Sequence, residues 1–96
     1  MVYVLLGEGF EEIEAITIAD ILRRAQIPMQ TAGIGGRSVT GAHGLISQAD
    51  IAVEELDLSD MTAVVLPGGL GGVESIEGSA PAMAAVEYAM KNGRCV

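Results

Sequence analysis

The feature that most constrains the fold is an apolar run that stops at a proline and opens into a set of glycines. Residues Ala63 to Leu66 read Ala-Val-Val-Leu, and Pro67 follows them, with four glycines among the next five residues. A short apolar, β-branched run bounded in this way is typical of a strand buried on both faces of a parallel sheet. Ligands bind at the carboxyl ends of such strands, and glycines let backbone N–H groups approach them. The sequence therefore predicts a functional site in the loop after Leu66.

Composition excludes several classes of protein. With 96 residues, 50% of them hydrophobic and 19% charged, the chain has the size and composition of one small globular domain. A net charge of -8 disfavours nucleic acid and anionic membranes as partners. No apolar run approaches the roughly 18 residues that span a bilayer and no basic leader precedes the first apolar run, so we predict a cytoplasmic protein. One cysteine and one histidine exclude a disulfide framework and most metal sites, and we predict no metal and no cofactor.

The first third of the chain predicts a strand followed by a helix. Val2 to Leu6 is an apolar run that ends at a Gly-Glu-Gly turn. From Glu11 to about Ala25 the apolar residues recur at helical spacing, with acids in the first turn and arginines in the last. This is the pattern of a β-strand leading directly into an amphipathic α-helix.

Glu14 interrupts the apolar stripe of this helix. At 100° per residue it shares a stripe with four apolar residues, Ile18, Ile21, Leu22 and Ala25. We therefore expect its carboxylate on the side that faces the sheet, near the end of the first strand, where burial would favour the neutral acid. The alternative is that Glu14 reaches round to cap the helix or to meet solvent.

The opposite side of the helix carries two large apolar residues among polar ones. Ile13 and Ile16 lie near Thr17, Asp20 and Arg24. They are either scattered surface residues or half of a symmetric contact. We prefer the second interpretation, which predicts a homodimer packed through this helix.

The middle of the chain predicts connecting structure. Pro28 to Ala32 is a second short strand, and we expect the glycines between residues 33 and 38 to form a hairpin turn, with the lone His43 exposed on the returning arm. A dinucleotide-binding loop is excluded because no third glycine arrives at the required spacing and no helix begins there. Residues 51–58 form a polar connection with a turn at Asp57 or Ser59, leading into the central strand.

The last third predicts a short helical turn, a longer helix and the start of a strand. The turn covers Val73 to Gly78, and the helix is capped by Ser79 and ends near Lys91. The strand begins at residues 94–96 and has no covering helix after it. Because a parallel sheet needs both faces covered, we interpret residues 1–96 as the N-terminal portion of a single domain, whose remainder is absent from this chain or lies on a second polypeptide.

In order and spacing these parts resemble the ThiJ/PfpI superfamily. Three motifs carry the resemblance: Gly-Phe-Glu-Glu-Ile-Glu at residues 9–14, Ile-Leu-Arg-Arg-Ala at 21–25 and Val-Val-Leu-Pro-Gly-Gly at 64–69. The nearest branch contains the parkinsonism-associated protein deglycase and bacterial proteins assigned to thiazole monophosphate biosynthesis. The resemblance covers essentially the whole chain and implies a flavodoxin-like α/β sandwich with a mainly parallel sheet, incomplete here.

The resemblance also implies roles for individual residues. The family has a cysteine nucleophile on a sharp strand-to-helix turn, and Glu14 matches the glutamate that donates a hydrogen bond to it. Gly69 matches the backbone donor of an oxyanion hole, within a loop formed by Gly68, Gly69 and Leu70. This favours the functional interpretation of Glu14 over the capping one. No cofactor is implied.

Other matches concern the family dimer and the nucleophile. Ile13 matches a dimer contact, to which the helical pattern adds Ile16, Thr17 and Asp20. Arg24, and His43 where relatives carry arginine, match residues that line the site across the dimer. Cys95 is not the nucleophile, because only Arg94 separates it from the glycine that ends the preceding helix, whereas a nucleophile elbow needs a strand of about five residues before it. We expect the family cysteine a few residues beyond Val96.

The resemblance implies an enzyme that acts on small reactive carbonyls, of the glyoxalase or deglycase type, once the domain is complete. One alternative is a redox-stress sensor or chaperone-like homodimer whose cysteine oxidises reversibly. A second alternative is an intracellular cysteine peptidase. Because the superfamily performs several chemistries at one site, the sequence leaves the substrate open.

Overall fold

The computed structural model describes residues 1–96. The chain forms six strands and three helices, and two short 3-10 helices at Val53–Glu55 and Leu58–Asp60 lie between the fifth and sixth strands. The strands are β1 Val2–Leu6, β2 Met29–Gly33, β3 Ser38–Thr40, β4 Ile46–Gln48, β5 Ile51–Ala52 and β6 Ala63–Val65. The helices are α1 Glu12–Arg24, α2 Leu70–Glu77 and α3 Ala80–Lys91.

Four strands form one parallel sheet in the order β5-β2-β1-β6. In register, Val2 of β1 lies opposite Met29 of β2 on one side and opposite Ala63 of β6 on the other. All carboxyl ends of these strands therefore meet at one edge, where the chain leaves β1 toward α1 and leaves β6 toward α2. The remaining strands, β3 and β4, pair antiparallel as a separate hairpin.

The core consists of two layers, one on each face of the sheet. Successive residues of β1 alternate between them: Tyr3 and Leu5 belong to the layer shared with α3, whereas Val4 and Leu6 belong to the layer shared with α1 and the hairpin. Because both faces of β1 are covered, its sequence is a continuous apolar run and not an alternating one. This confirms the predicted α/β sandwich with a mainly parallel sheet.

Helix α1 lies where the periodicity predicts it, but its buried face is different. The buried residues are Glu12, Ala15 and Ala19, whereas Ile21 is 58% exposed and Glu14 is exposed. The prediction that Glu14 faces the sheet was therefore wrong. Alanines let the helix approach the sheet closely, so the small residues set the rotation of the helix and the larger apolar residues lie at its flanks.

The hairpin turn lies later in the chain than predicted. Residues between β2 and β3 form a turn, but those strands belong to different sheets, and the antiparallel pair is β3 with β4. His43 therefore lies in the hairpin loop itself and not on the returning arm. The polar connection after it contains the short edge strand β5, followed by a turn in which the Asp57 carboxylate accepts a hydrogen bond from the Ser59 N–H at 3.1 Å.

The glycine loop is shorter than predicted, because α2 begins at Leu70. Gly71 and Gly72 are the second and third residues of that helix, and a Cβ on Gly72 would lie 2.9 Å from the Cα of Phe10. These two glycines therefore allow α2 to pack against the turn before α1. Strand β6 ends at Val65, so the loop between β6 and α2 consists of residues 66–69.

Strand β6 is covered on one face only. Val64 is buried, but Ala63 and Val65 are partly exposed, so the prediction of burial on both faces was wrong for this chain. Strand β6 is also one of the two outer strands of the sheet, not a central one. Beyond it, Cys95 forms a single parallel bridge with Ala63; the strand predicted to begin at residues 94–96 is present only as this one bridge.

The C-terminal helix follows the prediction. The Ser79 hydroxyl caps α3 by accepting a hydrogen bond from the Ala82 N–H at 3.3 Å. Among the three helices, none combines the length and the apolar character needed to cross a bilayer.

Candidate functional site

The loop after β6 and the first turn of α1 hold each other through two hydrogen bonds. The Gly68 N–H donates to Glu14 Oε1 at 2.8 Å, and the Gly68 carbonyl accepts from the Glu11 N–H at 2.9 Å. Two segments that are more than fifty residues apart in the chain thus meet at the carboxyl edge of the sheet. The structure brings Glu14 and the predicted oxyanion loop together, although Glu14 is at the surface.

Close packing explains why this loop consists of glycines. A Cβ on Gly68 would lie 2.7 Å from Glu14 Oε1, and a Cβ on Gly69 would lie 2.5 Å from the carbonyl oxygen of Gly9. Gly69 also has a φ of +93°, in the region that favours glycine. Side chains at these two positions would separate the loop from the turn that carries Glu14.

Two backbone donors and one carboxylate oxygen remain free at this point. The Gly68 N–H is occupied by Glu14, so it is not an oxyanion donor as the chain stands. The N–H groups of Gly69 and Leu70 have no acceptor in the chain, since they precede the first full turn of α2. Glu14 Oε2 is likewise without a partner. The unpaired N–H groups can bind a carbonyl oxygen, and the carboxylate can accept a proton from a neighbouring acid and pass it to that oxygen.

A second cluster lies on the other side of the α1 first turn and was not predicted from the sequence. The Glu12 side chain is only 7% exposed. Its Oε2 accepts from the N–H groups of His43 at 2.8 Å and Leu45 at 3.3 Å, and its Oε1 lies 2.8 Å from His43 Nδ1. The sequence does contain a signal for the burial of Glu12. Ala15 and Ala19 follow it by three and seven residues, which places all three residues on one face of α1, the buried face.

The hydrogen bonds of this cluster perturb both ionisable groups. Burial alone would raise the pKa of Glu12, but the bonds from the His43 side chain and from backbone N–H groups outweigh it and lower the pKa from 4.5 to about 2. The bond to Glu12, with the negative charges of Glu11 and Glu12, raises the pKa of His43 above 6.5. Glu11 Oε1 lies 3.8 Å from His43 Nδ1. Each shift favours the charged form of its group, so the pairing of a Glu12 carboxylate with a His43 imidazolium extends over a wider pH range than the isolated side chains would give.

The same three side chains are the one group whose donor atoms are close enough to share a cation, within 4.8 Å of one another. Both oxygens of Glu12 already accept hydrogen bonds from the hairpin loop. A metal ion would have to break these bonds next to the positive end of a helix dipole. We therefore describe Glu11, Glu12 and His43 as a hydrogen-bonded cluster.

The residues predicted to form a dimer contact are exposed on α1. Ile13 is 74% exposed and Ile16 is 48% exposed; Thr17 and Asp20 are also at the surface. Arg24 lies on the same face, with its Nε 3.1 Å from Asp20. His43 lies on the hairpin beside the first turn of the helix, so the structure separates it from Arg24 along α1. An open pocket of about 380 Å³ lies between α1 and β4.

Cys95 lies apart from this constellation. It is exposed and lines an apolar groove of about 380 Å³ along the outer edge of β6. Its N–H donates to the Thr62 carbonyl at 3.3 Å, at the amino end of β6. Glu14 and the Gly69 N–H are at the opposite, carboxyl end of that strand.

Comparison of this sequence with known proteins identifies one family. The sequence matches the DJ-1/PfpI family over residues 1–96. It is 41% identical over 70 residues to the protein dj-1beta of Drosophila melanogaster, covering 72% of this chain and 37% of that protein. It is 32% identical over 68 residues to a protein named as a deglycase from Thermococcus kodakarensis, covering 71% of this chain and 41% of that protein.

Solved structures give the same result. A cysteine-to-alanine variant of a DJ-1 superfamily protein from Salmonella typhimurium superposes with a TM-score of 0.90 at 37% identity, covering 97% of this chain and 51% of that one. Oxidised DJ-1 from Toxoplasma gondii superposes with a TM-score of 0.92 at 29% identity, covering 97% and 51%. The chain thus spans about half the length of these structures and less than half of the curated relatives. On this sequence and structural similarity, the chain belongs to the DJ-1/PfpI family.

Proposed function

We propose that this chain supplies the glutamate and the oxyanion-binding backbone of a cysteine-dependent enzyme that acts on small reactive carbonyls. The observation that carries the proposal is the Glu14 carboxylate held on the Gly68 N–H at 2.8 Å, beside the unpaired N–H of Gly69. The relative from Thermococcus kodakarensis that is named as a deglycase supports carbonyl chemistry. The nucleophilic cysteine belongs to the remainder of the domain, beyond Val96.

In the proposed reaction, Glu14 handles protons and the loop stabilises charge. Glu14 Oε2 accepts the thiol proton, and the sulfur forms a bond to the aldehyde carbon. The electron pair of the C=O bond moves to oxygen, which accepts hydrogen bonds from the Gly69 and Leu70 N–H groups. Glu14 then returns the proton to that oxygen, giving a hemithioacetal with no net change in charge.

Replacing Glu14 in the intact protein tests this proposal. We expect Glu14→Gln and Glu14→Leu to lower the rate of methylglyoxal consumption by at least about 100-fold, the typical contribution of a general acid–base group. Glu77→Gln is the matched control, because Glu77 is an exposed acid at the end of α2. Turnover that is the same in the Glu14 variants and in the control would remove Glu14 from the mechanism.

A second candidate is a redox sensor or chaperone-like protein whose cysteine oxidises reversibly. The oxidised form of the Toxoplasma gondii relative favours it. Here Glu14 would hold the oxidised sulfur by a hydrogen bond and would not move protons during turnover. Mass spectrometry after mild peroxide treatment, compared with methylglyoxal turnover, separates the two: oxidation without turnover supports the sensor. The peptidase alternative has no observation in its favour.

The proposal includes a homodimer that packs through α1. The exposed side chains of Ile13, Ile16, Thr17 and Asp20 support it, because large apolar residues gain free energy when a partner covers them. Arg24 and His43 would then line the site from the partner subunit, as the family resemblance implies. A cytoplasmic location stays a prediction from the sequence.

A further inference from the structure

The hairpin loop is wrapped around the carboxylate of Glu12. Three groups of the loop bind it: the His43 N–H, the His43 imidazole and the Leu45 N–H. Gly41 lies directly against the same carboxylate, and a Cβ there would be 2.5 Å from Glu12 Oε2. The loop conformation is therefore built on the ionised, buried Glu12, and His43 supplies two of its three contacts.

The same hairpin holds the turn that precedes α1. The Ala42 N–H donates to the Phe10 carbonyl at 2.8 Å, and the Gly9 N–H donates to the Thr40 carbonyl at 2.8 Å. On its other side this turn binds the glycine loop, through the Glu11 N–H and the Gly68 carbonyl. The segment from Glu8 to Glu14 is thus held between the hairpin and the glycine loop.

We propose that His43 is a positioning residue: through Glu12 it fixes the first turn of α1, and so holds Glu14 on the Gly68 N–H. This inference rests on the proposed function, in which Glu14 and the glycine loop act together. It gives His43 a role within its own chain, in addition to any contact across a dimer. Few contacts separate His43 from Glu14. Glu12, which binds His43, lies in the same helical turn as Glu14, and the preceding residue, Glu11, donates its N–H to the Gly68 carbonyl.

The charges around His43 make this arrangement depend on pH. The ionisable groups that face its ring are Glu12 at 2.8 Å and Glu11 at 3.8 Å, and no lysine or arginine forms an ion pair with either acid. Folding raises the pKa of His43. Its contribution to the stability of this arrangement is therefore complete below about pH 6.5 and is lost as the pH rises through the higher folded pKa. Folding lowers the pKa of Glu12 to about 2. Its contribution to stability is therefore present above pH 4.5 and is lost as the pH falls toward 2. The arrangement is strongest between these limits.

Amide hydrogen exchange in the intact protein tests the proposal at the Leu45 and Gly68 N–H groups. We expect His43→Ala to lower the protection of both amides by about two- to fivefold at pH 6, the range for an exposed ion pair. Arg37→Ala is the matched control, since Arg37 is an exposed cation that starts the same hairpin and pairs with Glu55 at 3.3 Å, away from α1. It should leave both amides unchanged.

His43→Gln separates positioning from mere loop packing. A glutamine amide can still donate to Glu12, but it does not titrate. We expect this variant to retain the protection of the Gly68 N–H at pH 6. In the native protein we expect that protection, corrected for intrinsic exchange, to decrease between pH 6 and pH 9. In His43→Gln we expect no such decrease. Unchanged Gly68 protection in His43→Ala, or a pH dependence that survives in His43→Gln, would overturn the proposal.

This test is independent of catalysis. If the Glu14 variants turn over methylglyoxal normally while Gly68 protection follows His43, the proposed function fails and the positioning role stands. If turnover depends on Glu14 but Gly68 protection ignores His43, the positioning role fails alone.

Discussion

The glycine loop can be tested by adding one methyl group at Gly69. This residue has a φ of +93°, and an added Cβ would lie 2.5 Å from the Gly9 carbonyl oxygen and 2.9 Å from the Glu11 nitrogen. Both neighbours are backbone atoms, so a side-chain rotation cannot relieve the contact. The Gly69→Ala substitution should therefore push the loop away from the turn that carries Glu14.

Three contributions set the expected loss of stability. Placing a residue other than glycine in this backbone conformation costs about 1–3 kcal/mol. Forcing the Cβ against backbone adds about 1–3 kcal/mol, as for other overpacked sites. Alanine restricts the unfolded chain, which returns about 0.5–1 kcal/mol. The net loss in the free energy of unfolding should be about 1–5 kcal/mol.

Gly35→Ala isolates the packing contribution. Gly35 has a φ of +84°, but nothing lies within 4 Å of its Cβ position, so only the backbone strain applies. Urea denaturation of the intact protein should show that Gly69→Ala loses about 1–3 kcal/mol more than Gly35→Ala. Equal losses in the two variants would refute the close approach of the loop to the α1 turn.

Three further predictions concern the core, an ion pair and the surface of α1. Phe10 is 1% exposed, and Phe10→Ala should lower the free energy of unfolding by about 3–5 kcal/mol. Met90 is 71% exposed, and Met90→Ala should lower it by less than about 0.5 kcal/mol. Similar losses of the two variants in urea denaturation would contradict the assigned core. Burial would raise the pKa of Asp50, but hydrogen bonds from Thr31 and the charge of Arg23 lower it below 3.8. Asp50→Asn should therefore cost about 1 kcal/mol at pH 7, and this cost should shrink as the pH falls below 3.8 through the lowered folded pKa. A cost that stays constant as the solution is acidified would contradict the pairing. Ile16→Glu should convert a dimer to a monomer in analytical ultracentrifugation, and an unchanged dimer would move the interface off α1.

The parts of the fold that the sequence predicted are those set by local chemistry. Strand β1 and helix α3 carry their own end signals, a Gly-Glu-Gly turn in the first case and the Ser79 cap in the second. The ends of α1 were also predicted, because acids precede arginines along it. The approach of Glu14 to the glycine loop followed from the family resemblance, and the 2.8 Å contact with Gly68 agrees with it.

The parts that were missed depend on contacts between distant segments. Large isoleucines suggested one rotation for α1, but the close approach of Ala15 and Ala19 to the sheet selected another. The pairing of β3 with β4 decided which glycines form the hairpin turn, and periodicity does not encode that choice. Glu12 was missed for the same reason, since its partners His43 and Leu45 are about thirty residues away.

We propose that residues 1–96 provide the acid–base and oxyanion groups of a site whose sulfur is contributed from outside them. Mapping the cysteine that iodoacetamide modifies fastest in the native, intact protein tests this most directly, with Glu14→Gln as the comparison. We predict that a cysteine beyond Val96 is labelled much faster than Cys95, and that Glu14→Gln changes the labelling rate of that cysteine alone. Preferential labelling of Cys95, or a rate at the other cysteine that ignores Glu14, would contradict it.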